Sequence, residues 1–185
     1  LFKFLTVTAD NNNGEPYFDR NVMLKIDSLN SSKTLNYRAH VLESHMYTGD
    51  LKYQFLDFIV KEYEKLCNKQ ALPGFKRNKE RDMAIVSLIL LTGIRVSECA
   101  GVNMQDLNIK DAILDVTRKG GQRDSVPIAE WTLDYITEYK NIRKDRYLAD
   151  NKENAFFLTR WHDHTRRMTT NAIEKMVNKY SAAFG

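Results

Sequence analysis

Residues 78–128 read NKERDMAIVSLILLTGIRVSECAGVNMQDLNIKDAILDVTRKGGQRDSVPI, and this stretch decides the fold. Residues 83–91 are apolar apart from Ser87, and a helix without a polar face is a core helix. Asn78 is the expected N-cap, and Gly93 is placed to close the helix in a left-handed C-cap. Arg95 follows at once, ahead of a second short helix over 96–101. Two strand-like runs come next, 112–117 and 124–128, joined across Arg118-Lys119-Gly120-Gly121-Gln122-Arg123. Apolar runs linked by Gly-Gly predict a β-hairpin with Lys119 at or beside its tip. The stretch therefore offers an arginine anchored behind a buried helix and a projecting lysine. The first supplies a planar fork for phosphate, the second a mobile cation able to give up a proton.

The flanking chain is organised around this core. Residues 1–8 are a short apolar segment, and 9–16 (with Asn-Asn-Asn-Gly and a proline) form a loop. Residues 19–46 read as two helices broken near 30–32. Leu51, Phe55, Phe58, Ile59, Tyr63 and Leu66 recur at helical spacing, so a helix ends near Cys67. Residues 68–77 hold a Pro-Gly pair and Lys76-Arg77 and read as a linker. After the hairpin, 130–147 is a long helix with a basic tail suited to its C-terminus. A short apolar run at 155–159, a polar loop over 160–167 and a last helix over 170–183 complete the chain, with Asn171 and Glu174 as its expected cap pair. The fold class expected is mainly α with a small antiparallel β element.

Charge points to a polyanion. The chain carries +4 overall, with −1 in residues 1–66 and +5 in residues 67–185, the half that holds Arg95 and Lys119. No apolar run approaches a membrane span, so no membrane partner is expected. Cys67 and Cys99 form no C-x-x-C and fit incidental thiols of a reduced cytoplasmic protein. His162 and His164 are too thin a ligand set for a metal, and His40 and His45 read as surface or packing residues. The first residue is Leu1, and the expectation is the interior of a longer protein.

Thr92-Gly93-Ile94-Arg95-Val96-Ser97-Glu98 resembles the T-G-x-R-x-S-E signature around the first catalytic arginine of the tyrosine recombinases, the phage integrase family. Thr117-Arg118-Lys119-Gly120-Gly121, followed by Arg123-Asp124-Ser125-Val126-Pro127-Ile128, resembles that family's lysine-bearing hairpin. Order, spacing and context agree. Gly14-Glu15-Pro16-Tyr17-Phe18, Arg20-Asn21-Val22-Met23 and Asn78-Lys79-Glu80-Arg81-Asp82 resemble the XerS-type branch of Gram-positive bacteria; a mobile-element or phage integrase of similar build is equally compatible.

The resemblance implies a helical core-binding domain ending in residues 1–67, a linker over 68–77, and a catalytic domain from 78 to 185 that lacks its C-terminal portion. It implies site-specific breakage and rejoining of double-stranded DNA through a 3′-phosphotyrosyl intermediate, by a homotetramer, without cofactor. Arg95 would stabilise the transition state on the scissile phosphate, and Lys119 would protonate the leaving 5′ oxygen. Against these stand an Arg95 paired with Glu98 at i+3 for structure alone, and a Lys119 that is one solvated cation. Arg118, Arg123, Arg160 and Arg166 are candidate phosphate contacts or ordinary surface charge. His164-Thr165-Arg166-Arg167 has the form H-x-x-R that the family uses for its second arginine, but its polar surroundings mark it as a decoy. Tyr180 sits too soon after it to be the nucleophile. The second arginine, histidines and nucleophile are therefore expected after Gly185, and residues 1–185 alone are expected not to cleave DNA. The competing class is a non-catalytic DNA-binding module built on the same fold. A phosphate-binding metabolic enzyme is disfavoured, because no Gly-rich loop leads into a helix N-terminus.

Overall fold

The computed structural model describes residues 11, 13–17, 47–162 and 164–185. The segments expected over 1–8 and 19–46, and with them His40, His45 and Arg20-Asn21-Val22-Met23, lie outside the described residues. The chain forms two compact units, Leu1–Met46 and Tyr47–Gly185. In the first, Asn11 Oδ1 accepts from the backbone N–H groups of Asn13 and Glu15, an Asx turn where a loop was expected.

The second unit is built from α1 (Leu51–Lys61), α2 (Tyr63–Leu66), α3 (Leu72–Thr92), α4 (Val96–Gly101), β1 (Leu107–Asn108), β2 (Ile113–Thr117), β3 (Arg123–Pro127), α5 (Glu130–Tyr147), β4 (Leu158–Trp161), β5 (His164–Arg167) and α6 (Thr170–Phe184). Helices dominate. The strands make a three-stranded antiparallel sheet in the order β1-β2-β3 and a separate β4–β5 hairpin.

Helix α3 is the axis. Met83, Ala84, Ile85, Val86 and Leu88 are all buried, as the apolar run predicts. Buried Ser87 satisfies its hydroxyl by donating to Ala84 O at 3.3 Å, so one polar residue is tolerated inside. Gly93 closes the helix at φ 70°, in the left-handed conformation expected of it.

The start of α3 differs from expectation. Residues 72–77, within the expected linker, are helical and form its first turn and a half, and Asn78 is interior rather than the N-cap. Pro73 belongs to the first turn, where a missing N–H costs nothing, because those donors have no partner inside the helix. The preceding turn is closed by Asn68 Oδ1, which accepts from Gln70 N and Ala71 N. Asn78 instead accepts from the Tyr147 hydroxyl at 2.9 Å, tying α3 to α5.

Packing is continuous across the boundary expected at residue 67. Helices α1 and α2 bury Phe55, Leu56, Ile59 and Tyr63 in the same core as α3 and α6. Tyr63 meets Phe75 of α3 at 5.1 Å and Tyr180 of α6 at 4.7 Å between ring centroids. Tyr47 donates to or accepts from Ser181 Oγ at 2.6 Å. Each buried aromatic or aliphatic side chain here contributes about 1.5–3 kcal/mol, enough to hold these short helices to the larger unit.

Two corrections concern the C-terminal part. Residues 160–167 form most of the β4–β5 hairpin instead of a loop, with Trp161 opposite His164 and Leu158 opposite Arg167. The cap of α6 is Thr169, whose Oγ1 accepts from Ala172 N at 3.2 Å, and not the expected Asn171–Glu174 pair. Helix α5 runs over the residues expected of it, but its basic tail is engaged in packing. Arg146 pairs with Glu80 of α3. Arg143 is buried and donates to the carbonyls of Glu153, Ala155 and Phe156.

Candidate active site

Arg95 is the N-cap of α4 and takes extended dihedrals, φ −69° and ψ 152°. A residue in that position is outside the helical ladder, so its side chain leaves the helix end freely. Arginine is a poor N-cap because it has no acceptor. Glu98 compensates from position N3: its Oε2 accepts from the Arg95 backbone N–H at 2.9 Å, half of a capping box. Its Oε1 accepts from Arg95 Nη1 at 2.8 Å. The pairing expected at i+3 is therefore present, yet the Arg95 side chain remains 64% exposed while that of Glu98 is 4% exposed.

Glu98 has a third partner. Arg118, the residue beside Lys119, donates from Nη1 to Glu98 Oε2 at 2.9 Å. Its Nε and Nη2 reach Asp124 Oδ2 at 3.1 and 3.0 Å. One buried carboxylate thus braces the arginine of α4 and the base of the β2–β3 hairpin together. Burial pushes the Glu98 carboxyl up, but the Arg95 backbone N–H, the Arg95 guanidinium and Arg118 outweigh it, and the net shift is down. Hydrogen bonding to Asp124 raises the Arg118 guanidinium further, with Glu98 adding to it.

The hairpin forms as predicted. Strands β2 and β3 pair from Ile113 opposite Pro127 to Thr117 opposite Arg123. Gly121 N donates to Arg118 O at 3.0 Å, and Gly120 and Gly121 take φ of 96° and 84°. Two successive left-handed residues are what a Gly-Gly pair supplies at least strain. Lys119 lies exposed at this tip. Gly93, Arg95, Arg118 and Lys119 line one open depression of about 390 Å³. Here the structure joins the two residues expected to carry chemistry.

The remaining candidates fall elsewhere. Arg123 approaches Asp106 Oδ1 at 3.5 Å and lines a different hollow, with Ser97, Asp115 and Thr117. Arg160 and Arg166 are on β4 and β5 and do not line the depression. Arg167, the arginine of the H-x-x-R decoy, donates to Ala100 O and Val102 O, both at 3.0 Å, and to Asn103 Oδ1 at 2.6 Å, so it is a packing residue. The Tyr180 hydroxyl is buried and donates to Asp82 Oδ2 at 2.7 Å; burial foremost, then Asp82, raises its pKa, the wrong direction for a nucleophile. Burial likewise raises the Cys99 thiol, which serves as packing. Among the described residues, no group of three His, Cys, Asp or Glu could hold a metal ion, and no helix is long and apolar enough to cross a membrane.

Sequence reading missed Asp124 as an anchor of the site. Hairpin register held the signal, since Asp124 pairs with Val116, two residues before Arg118.

The sequence profile of the phage integrase family matches residues 58–185. The chain belongs to the phage integrase family. Tyrosine recombinase XerS of Lactococcus lactis subsp. cremoris is 45% identical over 184 residues, covering 100% of this chain and 52% of that protein. XerS of Streptococcus uberis is 43% identical over the same length, again covering 52% of the relative. The XerS-type resemblance thus extends along the whole chain. The chain spans about half the length of the curated relatives it matches. Among solved structures, the crystal structure of XerA recombinase superimposes with a TM-score of 0.54 at 20% identity, over 76% of this chain and 42% of that one. At that identity the likeness concerns the fold. This integrase-family chain therefore carries the helix-then-hairpin frame of its family, with Arg95 and Lys119 on one surface.

Proposed function

We propose that the chain is part of a site-specific DNA recombinase acting through a 3′-phosphotyrosyl intermediate, with Arg95 and Lys119 as catalytic residues. The observation that carries this reading is the shared depression, lined by an exposed lysine and an exposed arginine, in which one buried carboxylate holds that arginine and the lysine's neighbour Arg118. Arg95 donates to a non-bridging phosphate oxygen and stabilises the charge that builds on the pentavalent phosphorus. A tyrosine hydroxyl attacks that phosphorus and releases its proton to solvent, the bond to the 5′ oxygen breaks, and Lys119 hands its own proton to the departing oxygen. The new phosphotyrosyl ester keeps the energy of the broken diester, so rejoining requires no nucleotide or metal. Buried Tyr180 does not serve as nucleophile; the tyrosine, a second arginine and histidines are assigned to residues outside these 185. The acting form is a homotetramer on two DNA sites in the bacterial cytoplasm. In the domain division proposed with it, residues 1–67 contribute to DNA clamping and 78–185 to catalysis, with α1 and α2 packed against the catalytic helices.

The test uses the full-length protein and a nicked duplex that traps the covalent complex. Arg95→Ala is expected to slow trapping by about 10²–10³-fold, the loss seen when one oxyanion donor is removed. Lys119→Ala is expected to slow it by about 10²-fold or more, with recovery on a substrate whose leaving oxygen is replaced by sulfur, which departs without a proton. Trapping at the unaltered rate in Arg95→Ala would overturn the assignment.

A further inference from the structure

We infer that the outward face of the β4–β5 hairpin is a second duplex-DNA contact, with Trp161 as its centre and Arg166 as its phosphate ligand. The inference rests on the recombinase reading above and adds a surface to it. Register divides the hairpin cleanly. Trp161 pairs with His164 and Thr159 with Arg166, which places these four side chains on one face. Leu158, Arg160, Thr165 and Arg167 occupy the other. That second face is the anchored one: Leu158 is fully buried, the Thr165 hydroxyl donates to Tyr147 O, and Arg167 holds Ala100, Val102 and Asn103.

The outward face is therefore held rigidly while remaining uncovered. Trp161 is 75% exposed, the most exposed large apolar side chain among the described residues. Its one ring neighbour is His162, edge-on at 5.0 Å in the turn. The other tryptophan, Trp131, differs in packing on Tyr53 of α1 at 5.0 Å. A rigid, exposed indole beside an exposed arginine and a histidine, with no carboxylate among the described residues of that face, matches the phosphates and deoxyribose edges of a duplex. Arg166 and His164 supply donors to phosphate oxygen, and the indole supplies an apolar plate at low conformational cost. An acidic or neutral protein partner would need apolar neighbours around the indole, and Thr159, His164 and Arg166 are polar. The tip residue Asp163 lies outside the described residues.

The test compares the Trp131→Phe protein with the Trp131→Phe/Trp161→Phe protein, so that the difference in fluorescence reports Trp161. Titration with duplex DNA is expected to quench its fluorescence saturably, and added salt to reverse the quenching. Trp161→Ala is expected to weaken duplex binding. Arg166→Ala is expected to lower the slope of log affinity against log salt by about one. Both side chains point to solvent, so unchanged thermal midpoints are expected to accompany these losses. Duplex affinity and salt slope unchanged in both variants overturn the inference and leave the recombinase reading standing. A Trp161 signal that follows protein concentration instead of DNA assigns the face to a second copy of the chain and also overturns it. No binding of any duplex by the parent protein overturns both.

Discussion

The two hairpins of the second unit solve the same problem in opposite ways. The β2–β3 hairpin is tied to the helical body through a carboxylate: Arg118 reaches across to buried Glu98, which also holds Arg95. The β4–β5 hairpin is tied through backbone oxygens: Arg167 of β5 donates to two carbonyls and one side-chain amide oxygen. A carboxylate can be neutralised by protons, whereas a carbonyl cannot. The first attachment therefore responds to pH and lies beside the depression that Arg95 and Lys119 line. The second is fixed and behaves as part of the core.

Substitutions can break this contrast. The largest effect is expected at Arg167. Arg167→Ala removes one cation and leaves three acceptors short of a donor, at a cost of about 3 kcal/mol, discounted from full burial because the group is half-buried. Thermal unfolding should fall by about 6–12 °C, equally at pH 7 and pH 4. A midpoint within one degree of the parent's would mean that β5 is held mainly by Leu158 and its neighbours.

Glu98→Gln should cost less, about 1–2 kcal/mol, because Arg118 retains Asp124 and Arg95 is largely solvated. Its signature is pH dependence. The Glu98 carboxyl lies below its ordinary value of 4.5 in the folded protein, so its contribution is complete above pH 4.5 and is lost as pH falls through the lowered folded value. The parent should therefore lose stability on acidification below pH 4.5 more steeply than Glu98→Gln, as denaturant midpoints at stepped pH would reveal. Parallel curves would remove the carboxylate from the account of this hairpin.

The smallest effect is expected at the tip. Gly121 sits at φ 84° with open space around it, so Gly121→Ala should cost only conformational strain, about 1 kcal/mol. Trapping of DNA should drop more than stability does if the tip must bend to bring Lys119 to its proton acceptor; equal changes would make Lys119 a static group.

The same contrast explains what was legible in the sequence. The β2–β3 hairpin and Arg95 were readable because their determinants are local: a Gly-Gly turn between apolar runs, and an arginine two residues behind a capping glycine. The Arg95–Glu98 pair followed from helical spacing. The β4–β5 hairpin was missed because its turn at His162 carries no glycine, although His162 takes φ 50°. The Arg118–Glu98 bridge joins residues 20 apart, and Tyr180 meets Asp82 across 98 residues, distances at which local pattern is silent. The Pro-Gly pair lies in a first helical turn, where proline opens helices as readily as it ends them.

Helix α3 carries a consequence of another kind. It spans Leu72–Thr92 without interruption, about 31 Å at 1.5 Å per residue, and delivers Gly93 and Arg95 at its far end. A strut of that length tilted by about 5° moves its tip by roughly 3 Å, well beyond the misplacement that costs a catalytic group its rate. The aim of Arg95 is accordingly set by leverage from the opposite end, where Phe75 is clasped between Tyr63 and Tyr180.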